Sequence, residues 1–265
     1  MMHLPARKLR EKIDLGRPVL GTMLLEFSGP AVVSVTADAG LDFVVVDGEH
    51  GNQNPREIES TIEAGYQAGL ATIIRPPYVD RGIFTRSLDA GAAGVLVPFC
   101  STMKDVEDAV RATKYTPVGS RGSHLFRGHT RHRQTDPAEF MAEANRDLLT
   151  LIQIELCEAL ELVDRIAATE GVDGLYIGPA DLSVDMGIPG QWTDPRVLDA
   201  IRVTAEACQK HGKIMGCHFG DLKQLPLLSG MGVQMLGFEC DLSIYRSAVI
   251  EMVGEFRDTF SAEQE

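Results

Sequence analysis

A chain of 265 residues with 44% apolar residues can bury a large core in one domain, and α/β barrels often run to this length. Its formal net charge of −13 repels phosphate backbones and counts against nucleic-acid binding. It contains no run of 18 apolar residues, which excludes a membrane-spanning helix.

Residues 1–15 are basic, lack the apolar stretch of a secretory signal and read as an N-terminal extension. Apolar strands rich in β-branched residues are predicted at 19–26 ("VLGTMLLE"), 43–49 ("FVVVDGE"), 71–76 ("ATIIRP") and 94–99 ("GVLVPF"). Amphipathic helices such as "PREIESTIEAGYQAG" and "TMKDVEDAVRATK" lie between or after them. The stretch 115–147 breaks the rhythm; polar and rich in Arg and His, it reads as a loop with a short helix from Pro137 to about Asn145. Four more strands follow at 148–155 ("LLTLIQIE"), 174–179 ("GLYIGP"), 213–218 ("KIMGCH") and 235–241 ("MLGFECD"), with the helix "CEALELVDRIAATE" between the first two. Strands that are apolar throughout and separated by helices indicate parallel βαβ units. Eight such units predict a closed (β/α)8 TIM barrel spanning 1–265 as a single domain, with an open doubly wound sheet as the alternative. The five cysteines have no C-x-x-C spacing and read as reduced thiols of a cytoplasmic protein.

In such a barrel the active site lies at the C-terminal ends of the strands. Those ends carry Glu26, the group Asp47, Glu49 and His50, then Arg75, Glu155, "GPAD" at 178–181, Cys217 with His218, and Glu239 with Asp241. One polar strand end means little, because strand ends reach solvent in any fold; many at the same mouth form a site pattern. No lysine ends a strand there, so Schiff-base chemistry lacks its nucleophile. Neither a G-x-S-x-G elbow nor a G-x-x-x-x-G-K-[ST] loop occurs. The chemistry falls to acids, one arginine and a histidine. Glu155 and Asp181 end the fifth and sixth strands; neighbouring strands run roughly 4.8 Å apart, so the two carboxylates can share one cation. With waters completing the shell, such a pair suits a hard ion, Mg²⁺ or Mn²⁺. The bland alternatives are that Glu155 caps the following helix and that Asp47 closes its strand–loop turn.

The segments "DGEHG", "IIRPP", "GAAGVLVPF", "GSRG", "IQIE" and "EGVDGLYIGPADLSVDMG" occur in this order and at fitting intervals. From about residue 16 to 190, and more loosely to the end, the chain resembles the class II, metal-dependent pyruvate aldolases. These include 4-hydroxy-2-oxoheptanedioate aldolase and the 2-keto-3-deoxy sugar-acid aldolases. The resemblance implies a barrel of the phosphoenolpyruvate/pyruvate-binding type and a cytoplasmic role in aromatic or sugar-acid catabolism. It also implies a homo-oligomer, a hexamer arranged as a trimer of dimers, with the C-terminal helix exchanged between subunits. Glu155 and Asp181 would hold the divalent ion (Mg²⁺, Mn²⁺ or Co²⁺). Gln153 and the segment Gly178, Pro179, Ala180 and Asp181 would seat the carboxylate of a 2-oxo acid. His50 would be the base, Arg75 would stabilise an enolate, and Asp89 would raise the basicity of the histidine, across a subunit interface if need be. Asp47 is placed to orient the imidazole ring.

The implied reaction is reversible cleavage of a 4-hydroxy-2-oxo acid to pyruvate and an aldehyde. The physical chemistry agrees: breaking the C3–C4 bond leaves electrons that spread onto the keto oxygen, where a Lewis acid and a guanidinium lower the barrier. The alternatives are another metal-dependent carbon–carbon lyase of the same superfamily, acting on an oxo acid or acyl thioester, and a barrel that binds an oxo acid without turnover. Mere binding has no need of a base.

The chain departs from the family pattern after "GSRG", where it reads "SHLFRGHTRHR" in place of small residues. Arg121, His124, Arg127, His129, Arg131, His132 and Arg133 make this stretch basic, and it is expected to form a mobile, solvated loop near the mouth that attracts an anionic substrate tail. A second metal site at His124, His129 and His132 is the other reading. Strand seven ends "GCHFG" and strand eight "GFECD", where aliphatic and small residues are commoner, so His218 and its neighbours bear on the aldehyde partner.

Overall fold

All eight expected strands form, each within two residues of its predicted ends. In the computed structural model, which describes residues 3–261, they are parallel and close a barrel in sequence order. They are β1 (Val19–Leu24), β2 (Phe43–Asp47), β3 (Ala71–Arg75), β4 (Gly94–Val97), β5 (Leu149–Ile154), β6 (Gly174–Ile177), β7 (Ile214–Phe219) and β8 (Met235–Cys240). Nearly every strand residue is buried, because one side chain in two fills the barrel and the others meet the helices. The barrel interior is tightly filled. A Cβ on Gly237 would fall 2.0 Å from the hydroxyl of the buried Tyr176, so β8 needs glycine where that ring crosses.

The helices are α1 (Leu4–Asp14), α2 (Pro30–Asp38), α3 (Pro55–Ala68), α4 (Arg81–Ala90), α5 (Met103–Thr113) and α6 (Pro137–Asp147). There follow α7 (Cys157–Glu161), α8 (Val163–Ala168), α9 (Pro179–Asp185), α10 (Pro195–His211), α11 (Leu225–Gly230) and α12 (Asp241–Ser261). Short polar residues start several of them: Asn54 with Glu57, and Thr102 with Asp105, form reciprocal capping boxes on α3 and α5. The single helix expected over "CEALELVDRIAATE" is interrupted at Leu162, whose N–H bonds back to Ala159 rather than continuing the α-helical ladder.

The N-terminal extension is a structured element. Ala6, Leu9 and Ile13 of α1 are buried against the barrel, while Arg7, Arg10 and Lys12 reach Asp147 (2.8 Å), Asp173 (2.5 Å) and Asp42 (2.5 Å). Those acids stand one or two residues before β5, β6 and β2, so α1 covers the face opposite the expected active site.

The basic stretch also lies at that far face, which corrects the expected placement near the mouth. Helices return antiparallel to the strands, so the C-terminal ends of α4 and α5 sit beside the strands' N-terminal ends. The 3₁₀ turn Gly128–Thr130 packs at the end of α4, where a Cβ on Gly128 would fall 2.6 Å from the Ala90 carbonyl. Arg121 is buried, donating to Asp89 at 2.7 Å and lying over the Tyr115 ring. His129 is buried as well: its Nδ1–H donates to the Asp89 carbonyl at 2.7 Å, and its ring packs on Phe140. Burial lowers its pKa, with Arg121 acting in the same direction. Arg131 lies over Tyr66, and Arg127 faces Glu59 at 3.5 Å. The stretch is thus divided: Arg121 and His129 are spent on packing and pairing, whereas His124, Arg131, His132 and Arg133 are exposed, as a solvated loop requires. Among the described residues no group of three or more His, Cys, Asp or Glu side chains is arranged to hold a metal, at His124, His129 and His132 or elsewhere.

All five cysteines are unpaired, and no described helix is long and apolar enough to cross a membrane. At the mouth, Asp241 ties the barrel seam together. Its Oδ2 accepts the N–H groups of Leu25, Glu26 and Phe27 at 2.9, 2.8 and 2.7 Å, fixing the loop that leaves β1. Asp241→Ala strands three donors, so it should lower the free energy of unfolding by about 1–3 kcal/mol. Urea denaturation checks this; an unchanged midpoint would make the carboxylate dispensable.

Candidate active site

Asp47 and Arg75 are register partners on the last rung between β2 and β3, so their side chains stand together at the mouth. Arg75 Nε and Nη2 donate to Asp47 Oδ1 and Oδ2 at 2.9 and 2.6 Å, a two-pronged charged contact. Both residues are buried. Burial works against the guanidinium charge, but the hydrogen bonds and charge of Asp47, then the charge of Glu49, outweigh it and hold the group above its ordinary pKa. Asp47 Oδ1 also accepts the Glu49 N–H at 3.0 Å, closing the strand–loop turn. Both of its oxygens are thereby engaged by Arg75 and the turn, in place of the expected orientation of His50.

The acid beside His50 is Glu49, to which the sequence reading gave no role. Its Oε1 lies 3.7 Å from His50 Nε2 and its Oε2 lies 3.3 Å from Arg75 Nε. Burial raises the Glu49 pKa against the pull of Arg75 and His50. The His50 side chain is 56% exposed and stands over the cavity.

Glu155 follows β5 and is 1% exposed. Its Oε1 accepts the Phe99 N–H at 2.7 Å and its Oε2 accepts from the Gln153 amide. Phe99 delivers that N–H from a left-handed backbone conformation, φ 50°, which costs a non-glycine residue of order 1–3 kcal/mol. Burial, and then the charges of Asp181 and Glu49, push the Glu155 carboxyl up to about 7 against the opposing effects of the Phe99 N–H and Arg75. Asp181 lies in the first turn of α9 rather than at the end of β6. Gly178 joins the two elements. A Cβ there would fall 2.8 Å from Gln153 Nε2 and 3.1 Å from Glu155 Oε2, so glycine lets the backbone pass directly over these groups.

These residues surround a cavity of about 240 Å³. Gln153, Gly178, Pro179, Ala180 and Asp181 form one wall, His50 and Arg75 the second, and Met23, Leu25 and the ends of β7 and β8 the third. Glu155 lies beneath Gly178. Trp192, from the loop before α10, also lines the cavity and had no signal in the sequence beyond being the single tryptophan. No lysine lines the cavity among the described residues. Asp89 is not brought to this site within the chain; it lies at the far end of α4, paired with Arg121. Glu26, Cys217 and Asp241, also at strand ends, do not line the cavity.

A closed parallel barrel with acids, an arginine and a histidine at its mouth belongs to a broad class of barrel enzymes. Residues 22–244 match the family described as HpcH/HpaI aldolase/citrate lyase. The chain is 32% identical over 258 residues to a hydroxypyruvate/pyruvate aldolase of Pseudomonas aeruginosa, covering 97% of this chain and 95% of that protein. It is 32% identical over 230 residues to a 5-keto-4-deoxy-D-glucarate aldolase of Shigella dysenteriae, covering 87% and 89%. The crystal structure of an HpcH/HpaI aldolase from Desulfitobacterium hafniense superposes with a TM-score of 0.88 at 33% identity, covering 94% of this chain and 96% of the other. The chain belongs to the HpcH/HpaI aldolase/citrate lyase family and is an enzyme of the lyase class.

The raised Glu155 pKa has a consequence for stability. The folded carboxyl keeps its proton to about 7, whereas it would ordinarily release it near 4.5. Folding therefore retains a proton between those values, and this group's contribution, intact below the lower pKa, is lost as pH rises through the window. The full loss is about 3 kcal/mol. In a chelator, Glu155→Gln should gain stability over wild type as pH rises from about 5 to about 7.5, read by thermal denaturation. A difference that does not change with pH would contradict the burial argument.

Proposed function

We propose that the protein is a divalent-metal-dependent aldolase that reversibly cleaves a 4-hydroxy-2-oxo acid to pyruvate and an aldehyde. The observation that carries the reading is the charge imbalance at the mouth. Glu49, Glu155 and Asp181 converge there, and Arg75, among the described residues the one Arg or Lys that lines the cavity beside them, is already bound to Asp47. A buried carboxyl pushed up to about 7 by burial and neighbouring acids is a group that lacks a counter-charge. Glu155 and Asp181 fit a hard divalent ion, with water and substrate oxygens as the other ligands. When bound, such an ion supplies a Lewis acid for the keto group of the substrate. The relatives' names, which specify keto acids and pyruvate, support the substrate class.

In this reading Gln153 and the backbone at Gly178–Asp181 seat the carboxylate of the oxo acid. His50 takes the proton from the 4-hydroxyl, the C3–C4 bond breaks, the aldehyde departs, and the electron pair passes to C3 and the former keto oxygen. Arg75 holds a fixed positive charge beside that oxygen as negative charge develops. Protonated His50 then returns the proton to C3, giving pyruvate. Glu49, near both His50 and Arg75, keeps the two cationic groups in a shared field.

Chelation should abolish pyruvate release, Mg²⁺, Mn²⁺ or Co²⁺ should restore it, and Glu155→Gln should prevent the restoration. Full activity of that variant after exhaustive chelation would refute the metal assignment. Arg75→Lys keeps the charge but loses the fork that Asp47 grips, and should cost about 2.7–4 kcal/mol of transition-state stabilisation, a fall in kcat of roughly 10²–10³-fold. His50→Ala should slow turnover with little change in metal affinity, measured by titration calorimetry. Wild-type kcat in Arg75→Lys would reduce that residue to a structural part of β3.

We further propose that the protein is a homo-oligomer. The helix α12 touches the barrel chiefly through β8 and β1, and leaves Ile250, Met252, Phe256 and Phe260 exposed. An apolar face of this kind suits exchange of the helix between subunits. Light scattering should give a mass that is a multiple of 28.9 kDa, falling when α12 is removed. A monomer at micromolar concentration would contradict the exchange.

A further inference from the structure

The ends of β7 and β8 line a separate part of the cavity wall, and Trp192 lines it too. Glu239 lines this part. Its carboxylate is half-buried and makes no hydrogen bond or ion pair among the described residues. Its position is nevertheless built with care. The pairing of β1 with β8 steps from Gly21↔Gly237 to Met23↔Cys240, so Phe238 and Glu239 together face Thr22 alone. Such a bulge re-aims a side chain. Glu239 adopts φ 51°, a left-handed conformation unusual for any residue but glycine, and its carbonyl accepts the Thr22 hydroxyl at 3.2 Å. A carboxylate without a protein partner among the described residues, held in the cavity wall by a strained backbone, is a candidate for contact with substrate.

Two other groups share the spot. His218 lines the same wall and its Nδ1 is buried without a partner. Gly220 lies between Trp192 and Glu239: a Cβ there would fall 3.1 Å from Glu239 Oε1 and 3.2 Å from the Trp192 ring. Burial, and then Arg75, lower the His218 pKa to about 4, so the ring does not offset the charge of Glu239. The basic residues 121–133 lie at the other end of the barrel and do not offset it either.

Resting on the aldolase reading above, we propose that Glu239, His218 and Trp192 form the subsite for the aldehyde half of the substrate and select a short, uncharged, hydroxylated aldehyde over an anionic one. The chemistry follows from the three groups. A carboxylate accepts hydrogen bonds from hydroxyls and gains more from them than a neutral acceptor does. A neutral imidazole offers one N–H and one bare nitrogen, enough to pair with a second hydroxyl. The indole face covers the carbon chain. An aldehyde bearing its own carboxylate would bring like charges together in a partly dry cavity, a repulsion that discriminates more strongly than a missing contact does.

The test is condensation with pyruvate and a saturating divalent ion, using glyceraldehyde, propanal and succinic semialdehyde as acceptors. Wild type should use glyceraldehyde at least tenfold better, in kcat/KM, than either of the others. Glu239→Gln should narrow its lead over propanal and raise the relative use of succinic semialdehyde about tenfold. A wild-type preference for succinic semialdehyde overturns the proposal whether or not the variant folds, and so do unchanged ratios in a folded Glu239→Gln. Exchange of pyruvate methyl protons with solvent deuterium, followed by NMR in wild type without any aldehyde, separates the two levels. Exchange without aldehyde discrimination defeats the subsite alone, whereas absence of exchange defeats the aldolase reading beneath it.

Discussion

The site depends on one buried contact, the fork between Arg75 and Asp47. Each residue alone would leave a bare charge in a dry place, which costs about 3–5 kcal/mol. Together they are tolerated, and because they share the last rung between β2 and β3 the strand register sets their geometry. A pair of this kind contributes little net stability; what it contributes is a positive charge at a fixed point above the barrel. Two other acids at the mouth feel that point directly. Glu49 leans on the same guanidinium, and Glu155 lies within its field.

One cation cannot balance that many acids. Glu155 keeps its proton to about 7 because burial and its neighbours outweigh what Arg75 returns. The rest of the molecule does not make up the difference, because its basic residues are used elsewhere. Arg7, Arg10 and Lys12 fasten α1 to the strands' N-terminal ends, Lys114 is buried against Asp173, and Arg121 is buried against Asp89. An anionic oxo acid entering this mouth therefore meets net negative charge unless a cation comes with it. The basic residues that fasten one end of the barrel are not available at the other, and in the proposed reading a divalent ion makes up the difference.

The barrel was legible because its strands are buried on both sides, which writes them as continuous apolar runs, and because most of these runs stop in a polar group at the same mouth. His50, Arg75, Glu155 and the segment 178–181 could be singled out for that reason. What depends on distant partners was not legible. The charge of residues 121–133 says nothing about which face of the barrel they will occupy, and Arg121 and His129 are buried only because α4, Tyr115 and Phe140 wait there. Asp89 looked free for His50 for the same reason. Glu49 stood in plain view within "DGEHG", but only the fold shows its carboxylate between His50 and Arg75. The left-handed backbone at Phe99 and Glu239 leaves no trace in composition or period, since neither residue type favours it.

The shortage of positive charge at the mouth is tested most directly by where a divalent ion sits. Crystals grown with Mn²⁺ and pyruvate, measured for the anomalous scattering of manganese, locate it directly. The predicted result is a single strong peak shared by the Glu155 and Asp181 carboxylates, with pyruvate beside it and its keto oxygen turned toward Arg75. A peak at other side chains, or pyruvate seated with no ion between it and the two carboxylates, would contradict the claim that the mouth is short of one cation.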